Sequence, residues 1–328
     1  MIVSAVADPT AFGPSGITDE LSKREALAFL RGIVSNGVLL DEPTKELLRV
    51  AISEASQLST KMGQHLQVLL TEIKKQHKKL VVTCDRTNWQ QQSTATIPDK
   101  CAAVAAILEA DVVVTQPANI ADVQARVGAT SEVCLLSDAS QSAYEASRIR
   151  LIQLEKPLDE LSLPEIEEFV GRAVKYASTI RFYDYLMISS QSRTRQFLAG
   201  IQFFAAIWNQ WCVFGDSSSR TIELYTVAKR QGVPGGFIDG VEANSRLESE
   251  IQRPLSEATR ARVERHVKED SDPRIFHTRG FEARSRAFTI DPGFDAVGPS
   301  GAVRRCLLKS DLAAEHHFAD CRKLKDLP

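Results

Sequence analysis

No stretch of the 328-residue chain approaches the ~18–20 apolar residues of a membrane span. The opening Met1-Ile-Val-Ser-Ala-Val-Ala-Asp8 lacks the basic start of a signal peptide. Both absences argue against a membrane partner and for a cytoplasmic protein. There is no G-x-x-x-x-G-K-[ST] and no G-x-G-x-x-G after a strand, which disfavours ATP hydrolysis and a dinucleotide cofactor. Cys84, Cys101, Cys134, Cys212, Cys306 and Cys321 are scattered, and no two stand in C-x-x-C spacing. A zinc ribbon or dithiol redox site is therefore not indicated, and the thiols read as reduced and mostly buried.

What is present is ordinary for a globular protein, with 43% hydrophobic and 25% charged residues and a length that favours about two domains. The net charge of −2 conceals an asymmetry. Residues 1–160 hold 16 Lys and Arg against 20 Asp and Glu, whereas 161–328 hold 24 against 22. Arg260, Arg262, Arg265, Lys268, Arg274, Arg279, Arg284 and Arg286 crowd one segment, with His266 and His277 among them. Such a run forms either an anion-binding face or, because Glu257, Glu264, Glu269 and Glu282 are interleaved, a solvated helix face.

In the first half, strand-like runs at Met1–Ala7, Leu80–Cys84, Asp111–Thr115 and Glu132–Leu136 alternate with helical patterns. Thr18 can cap a helix running through Glu25–Val34, which Asn36-Gly37 stops; Pro43–Leu48, Gln57–Lys78 and Cys101–Leu108 follow. Alternation of this kind predicts a small α/β domain with a parallel sheet over residues 1–155. Pro157 and Pro164 bracket a linker at 156–164, and a second α/β domain follows over 165–328. There the pattern runs from a helix at Glu165–Ala177 to a strand around Ile180–Phe182, then to a helix carrying Phe197, Phe204 and Trp208. A strand at Thr221–Thr226 and helices near Val241–Glu250 and Ser256–Val267 complete the approach to a hairpin. In that hairpin Ile275-Phe276 enters, Ala287–Ile290 leaves, and His277 and Arg279 share a strand face. Trp208, Trp211, Phe197, Phe203 and Phe204 read as core rather than base-stacking platforms. His316-His317, beside Glu315 and Asp320, reads as part of a solvated terminal helix more readily than as a metal site.

Two family resemblances follow from these residues. The strand ending at Asp8, the helices after it and Ala110-Asp-Val-Val-Val-Thr115 resemble the PIN-like nucleases, metal-dependent RNases whose acids gather at strand ends. The resemblance implies Mg or Mn held by Asp8, with Asp41, Glu42 or Glu46 as a second acid. Gln116-Pro117 follows the strand where an acid is usual, leaving Asp122 or Asp138 as substitutes. The alternative is that these acids cap helices and end strands.

The second half, with His277-Thr278-Arg279 in a hairpin, resembles the phospholipase-D-like superfamily, closest to the domain at the C-terminus of MIT-domain proteins. That superfamily carries His-x-Lys, four residues and Asp; its His attacks phosphorus, its Lys holds phosphate oxygens, and two copies of the motif meet, often across a homodimer. Here Arg279 replaces Lys, and Arg284 stands at the Asp position. Arg can still clamp phosphate through two parallel hydrogen bonds, but it cannot orient a histidine as a carboxylate does. Asp291 and Asp295 are the nearby acids. The resemblance implies a metal-free nucleic-acid phosphodiesterase, a homodimer of the kind found in bacterial defence, with His277, Arg279 and Asp291 catalytic and Arg274, Arg279, Arg284 and Arg286 on phosphate. Two other readings stay open: a non-catalytic phosphate or nucleic-acid binding module, and a metal-dependent RNase acting through Asp8 and Asp138.

Overall fold

A computed structural model describes residues 3–58, 61–92, 94–153, 157–188, 191–215, 219–228, 239–269, 278–284, 286–291, 293–298 and 307–327. The chain divides into two compact α/β units, Met1–Ile152 and Gln153–Pro328, so the boundary falls just ahead of the proline-bracketed stretch. No helix among the described residues is long and apolar enough to cross a membrane.

The first unit is a five-stranded, wholly parallel sheet in the order β3-β2-β1-β4-β5. Its strands are β1 Val3–Ala7, β2 Gly37–Asp41, β3 Val81–Thr83, β4 Val112–Thr115 and β5 Glu132–Leu135. The three central strands, β1, β2 and β4, are buried along their whole length, which explains their near-continuous apolar sequences. Among the helices, α1 Glu20–Asn36 is capped by Asp19, which accepts the Ser22 N–H at 2.7 Å. Next come α2 Glu46–Ser56, α3 Lys61–Lys75 and the short α4 His77–Leu80. After β3 the chain forms α5 Arg86–Gln90 and α6 Ile97–Leu108; α7 Ile120–Val127 precedes β5, and α8 Ala143–Gln153 ends the unit. Strand β2 is an addition to the sequence pattern: its Val38-Leu39-Leu40 follows α1 without a separating loop.

The second unit holds a mixed six-stranded sheet, β11-β10-β9-β6-β7-β8. Its elements begin with α9 Leu163–Val174, β6 Thr179–Tyr183, α10 Gln191–Trp211 and β7 Thr221–Val227, then α11 Gly240–Leu247, α12 Arg253–Thr259 and β8 Arg262–Lys268. They end with β9 Gly280–Ala283, β10 Arg286–Asp291, β11 Leu307–Ser310 and α13 Leu312–Lys323. Strands β6, β7 and β8 run parallel, and β9 joins β6 in the opposite sense. Residues 262–268 thus form a strand, where the charged sequence suggested a continuing helix. Val263, Val267 and Lys268 are buried, and the Glu, Arg and His between the two valines mask the alternation.

One sheet face is apolar. Phe182, Phe281, Phe204 and Phe294 make a cluster of tilted and edge-on rings under α10, with centroids 5.3–6.3 Å apart. Trp208 and Phe197 are buried, as core residues should be. The opposite face carries a ring stack from α13 across three strands. Phe318 lies 4.1 Å from Tyr183, Tyr183 4.8 Å from Tyr225, and Tyr225 4.5 Å from His266. The Tyr183 hydroxyl donates to Glu282 at 3.1 Å and accepts from Arg322 at 2.7 Å, while Arg181 and Tyr225 both donate to Glu223.

Arg220 closes the far end of α10. Its guanidinium donates to the carbonyls of Asn209, Cys212, Phe214 and Gly215 and to the Asn209 side chain, all between 2.7 and 3.0 Å. Carbonyls left over at a helix C-terminus are thereby satisfied beside the favourable end of the helix dipole. Arg220→Ala would strand several of these acceptors. Urea denaturation should show the second unit less stable by about 2–4 kcal/mol, with Arg220→Lys recovering less than half because an ammonium cannot span the fork.

Candidate functional site

Parallel α/β sheets place chemistry at the carboxyl ends of their strands, and both units carry an aspartate there. In the first unit Asp8 follows β1 at the point where the strand order reverses between β1 and β4. It is fully buried. Its Oδ1 accepts the Thr10 N–H at 3.0 Å and the Thr10 hydroxyl at 2.6 Å; its Oδ2 accepts the Thr115 hydroxyl at 2.6 Å and the Asn119 amide at 2.8 Å. A carboxylate offers about four lone-pair sites, and all four are taken. Gln116 extends the net by donating to Thr10 Oγ1 at 2.7 Å.

The next acids point elsewhere. Asp41, buried at the end of β2, accepts the N–H groups of Glu42, Leu47 and Leu48 at 2.8, 3.2 and 3.0 Å. Glu42 accepts from Thr44 and from the Glu46 N–H, so the two carboxylates together cap α2. Burial pushes the Asp41 carboxyl up to about 7, against those hydrogen bonds. Glu46 is ion-paired with Lys100 at 2.8 Å, and Asp122 with Arg126.

Asp138 is exposed in the turn after β5, separated from Asp8 by all of β4, so the expected Asp8–Asp138 pairing does not form. The donor set does not fit a divalent cation. Asp8 has no acceptor left to give, amides stand where a further carboxylate would be needed, and no group of three candidate ligands occurs among the described residues. Asp8→Ala should therefore act on stability. It leaves two hydroxyls and an amide without their acceptor and should cost the first unit about 2–4 kcal/mol in thermal or urea melts. Millimolar Mg²⁺ or Mn²⁺ should leave the wild-type melting temperature unchanged.

In the second unit Asp184 follows β6 and is also fully buried, but its surroundings differ. Oδ1 accepts the Leu186 N–H at 2.8 Å, whereas Oδ2 is buried with no hydrogen-bond partner. A second buried oxygen without a partner, Asp295 Oδ1, belongs to a carboxylate close enough to raise the Asp184 carboxyl further. Arg279 stands beside them. Its guanidinium carbon is 4.6 Å from the centroid of the Tyr185 ring, and Nη2 donates to the Tyr185 hydroxyl. Gly293 marks how closely the groups converge. A Cβ there would lie 2.9 Å from Asp184 Oδ2 and 3.1 Å from Arg279 Nη1, and its φ of 141° is itself a glycine conformation. Burial pushes the Asp184 carboxyl up to about 7, opposed by Arg279 and reinforced by Asp295.

The outgoing strand of the hairpin, Ala287–Ile290, lies within β10, whereas Ile275-Phe276 lies outside the described residues. Gly280 lies within β9, pressed so close to β10 that a Cβ would meet the Phe288 carbonyl at 1.9 Å. The chain reverses between Ala283 and Arg286, which pair across the turn, with Arg284 left-handed at φ 48°. Consequently Arg284 and Arg286 sit at the opposite end of β9 from Arg279 and do not share its site. Burial and then Arg286 push the Arg284 guanidinium down to about 10, while burial lowers Arg286 against the pull of Glu315. Asp291 lies exposed at the Arg279 end, since the adjacent Ile290 N–H bonds the Arg279 carbonyl at 2.9 Å. His277 and Arg274 lie outside the described residues.

Asp184 and Tyr185 are site residues that the hairpin motif does not contain. The available signal was the one that marks Asp8, an acid directly after a strand. Compared with family models, curated proteins and solved structures, the chain has no match.

Between roughly pH 4 and 7 folded Asp184 keeps a proton that the unfolded chain has already released, so stability falls as pH rises through that window. Asp41 acts in the same direction in the first unit. Urea titrations of Asp184→Asn across that range should show a flatter dependence for the second unit, removing a slope of up to about 1.4 kcal/mol per pH unit.

Proposed function

We propose that the second unit acts on phosphodiesters of nucleic acid, with Arg279 holding phosphate and His277 attacking phosphorus. The observation that carries this reading is the placement of Arg279 over Tyr185 and beside Asp184 and Asp295. A guanidinium fixed by an aromatic face and a hydroxyl is pre-set to receive a planar, charged oxyanion.

The resemblance to the phospholipase-D-like superfamily asks for an acid near this cation, and Arg284 fails to supply it. Asp184 and Asp295 replace it from outside the motif. They act as positioning residues, setting the charge and orientation of Arg279. His277, two residues before Arg279, forms the P–N bond as the P–O bond of the leaving alkoxide breaks; water then cleaves the phosphohistidine. A second copy of the chain supplies the second motif. Arg284 at the acid position favours one rival reading, a site that binds phosphodiesters without cleaving them.

Labelled single-stranded and duplex DNA and RNA, incubated in EDTA, test this directly. Cleavage is expected, reduced by about 10²-fold or more in Arg279→Ala and abolished in His277→Ala. Binding that weakens in Arg279→Ala with no cleavage selects the binding module instead. Cleavage that requires Mg²⁺ or Mn²⁺ and disappears in Asp8→Ala would return the activity to the first unit.

A further inference from the structure

Residues 61–80, covering α3 and α4, contain five lysines and two histidines against a single acid, Glu72. The unit around them is acidic, with 15 Lys and Arg against 17 Asp and Glu over residues 1–152. Outside 61–80 that balance is 10 against 16, so positive charge is concentrated in this one segment. Lys74 and Lys75 end α3, Gln76 leaves the helical conformation at φ −90° and ψ 28°, and His77, Lys78 and Lys79 open α4. The cations therefore spread across a break between two helices. Lys61, His65, Lys74, Lys75 and Lys78 are exposed, and no carboxylate pairs with Lys74, Lys75 or Lys78 among the described residues.

Compensation of the α3 dipole accounts for two lysines in its last turn. It does not account for Lys61 and His65 at the other end, nor for the scarcity of acids along the face. We infer that this face is a docking surface for the phosphate backbone of nucleic acid, separate from the Arg279 site and independent of whether that site cleaves. A lipid surface fits less well. Amphipathic helices bind bilayers by inserting an apolar face, and here Leu66, Leu70 and Ile73 of α3 are fully buried in the unit. What remains outward among the described side chains of α3 is polar and charged, with Val68 the one large apolar side chain that is exposed. Charge without insertion suits a polyanion read through its backbone.

The test is fluorescence anisotropy of a labelled oligonucleotide with the full chain across a salt series, comparing wild type with Lys74→Gln/Lys75→Gln/Lys78→Gln. Each phosphate contact contributes about 0.9 to the slope of log K against log salt in duplex DNA, so the triple variant should show a slope shallower by about 3. At low salt its affinity should fall by at least about tenfold, with little dependence on sequence. The lysines are exposed, so melting should not change; should the triple variant unfold, Lys78→Gln alone must still lower the slope by about 1. Equal slopes and affinities for wild type and variant overturn the inference. So does lysine-dependent binding to phosphatidylserine vesicles with none to the oligonucleotide. Arg279→Ala should leave the lysine-dependent part of the slope intact, which keeps this result separate from the fate of the catalytic reading.

Discussion

The pairing of β6 with β9 fixes almost everything of consequence in the second unit. Ile180 opposes Ala283, Arg181 Glu282, Phe182 Phe281 and Tyr183 Gly280. In this register Phe182 and Phe281 meet on the apolar face while Arg181, Tyr183 and Glu282 meet on the polar one. A slip of one residue would exchange the faces, burying charge under α10 and exposing phenylalanine. The register also brings the residue after β6, Asp184, level with the residue before β9, Arg279. A contact between residues 95 positions apart thus follows from ladder geometry, and Gly280 permits it because no side chain stands between it and β10.

The two strand-end aspartates show what environment does to identical chemistry. Asp8 is ringed by hydroxyls, an amide and a backbone N–H, every one of them a neutral donor that fills an acceptor. Around Asp184 stand the backbone N–H groups of Leu186 and Phe294, a neighbouring carboxylate and a guanidinium. The first arrangement is closed and stabilising. The second leaves two buried carboxylate oxygens, Asp184 Oδ2 and Asp295 Oδ1, without a hydrogen-bond partner, which costs stability.

Legibility in the sequence follows the same division between local and distant physics. Strands β1, β4, β5, β6 and β7 are visible because each is an apolar run bounded by turn residues, and α1, α6 and α9 because they have caps and a helical period. Strand β2 is hidden by its direct continuation from α1. Strand β8 is hidden because Arg262, Glu264, Arg265 and His266 favour helix locally, and only tertiary pairing with β7 overrides them. For the candidate site, Arg279 stood out in the sequence, but the residues packed around it did not. Asp184 and Tyr185 follow another strand, β6, and nothing in the spacing of the hairpin names them. Arg284 and Arg286 looked like neighbours of Arg279 because they are close in sequence. Four residues of extended strand carry them to its other end.

Arg220 is held in a way that sets it apart from the cations around it. Arg181 and Arg322 lean on Glu223 and Glu282, partners that lose their charge in acid and are screened by salt. The partners of Arg220 are four carbonyls and a side-chain amide, which carry no titratable proton. The end of α10 is therefore pinned by a contact indifferent to acidity and little affected by ionic strength.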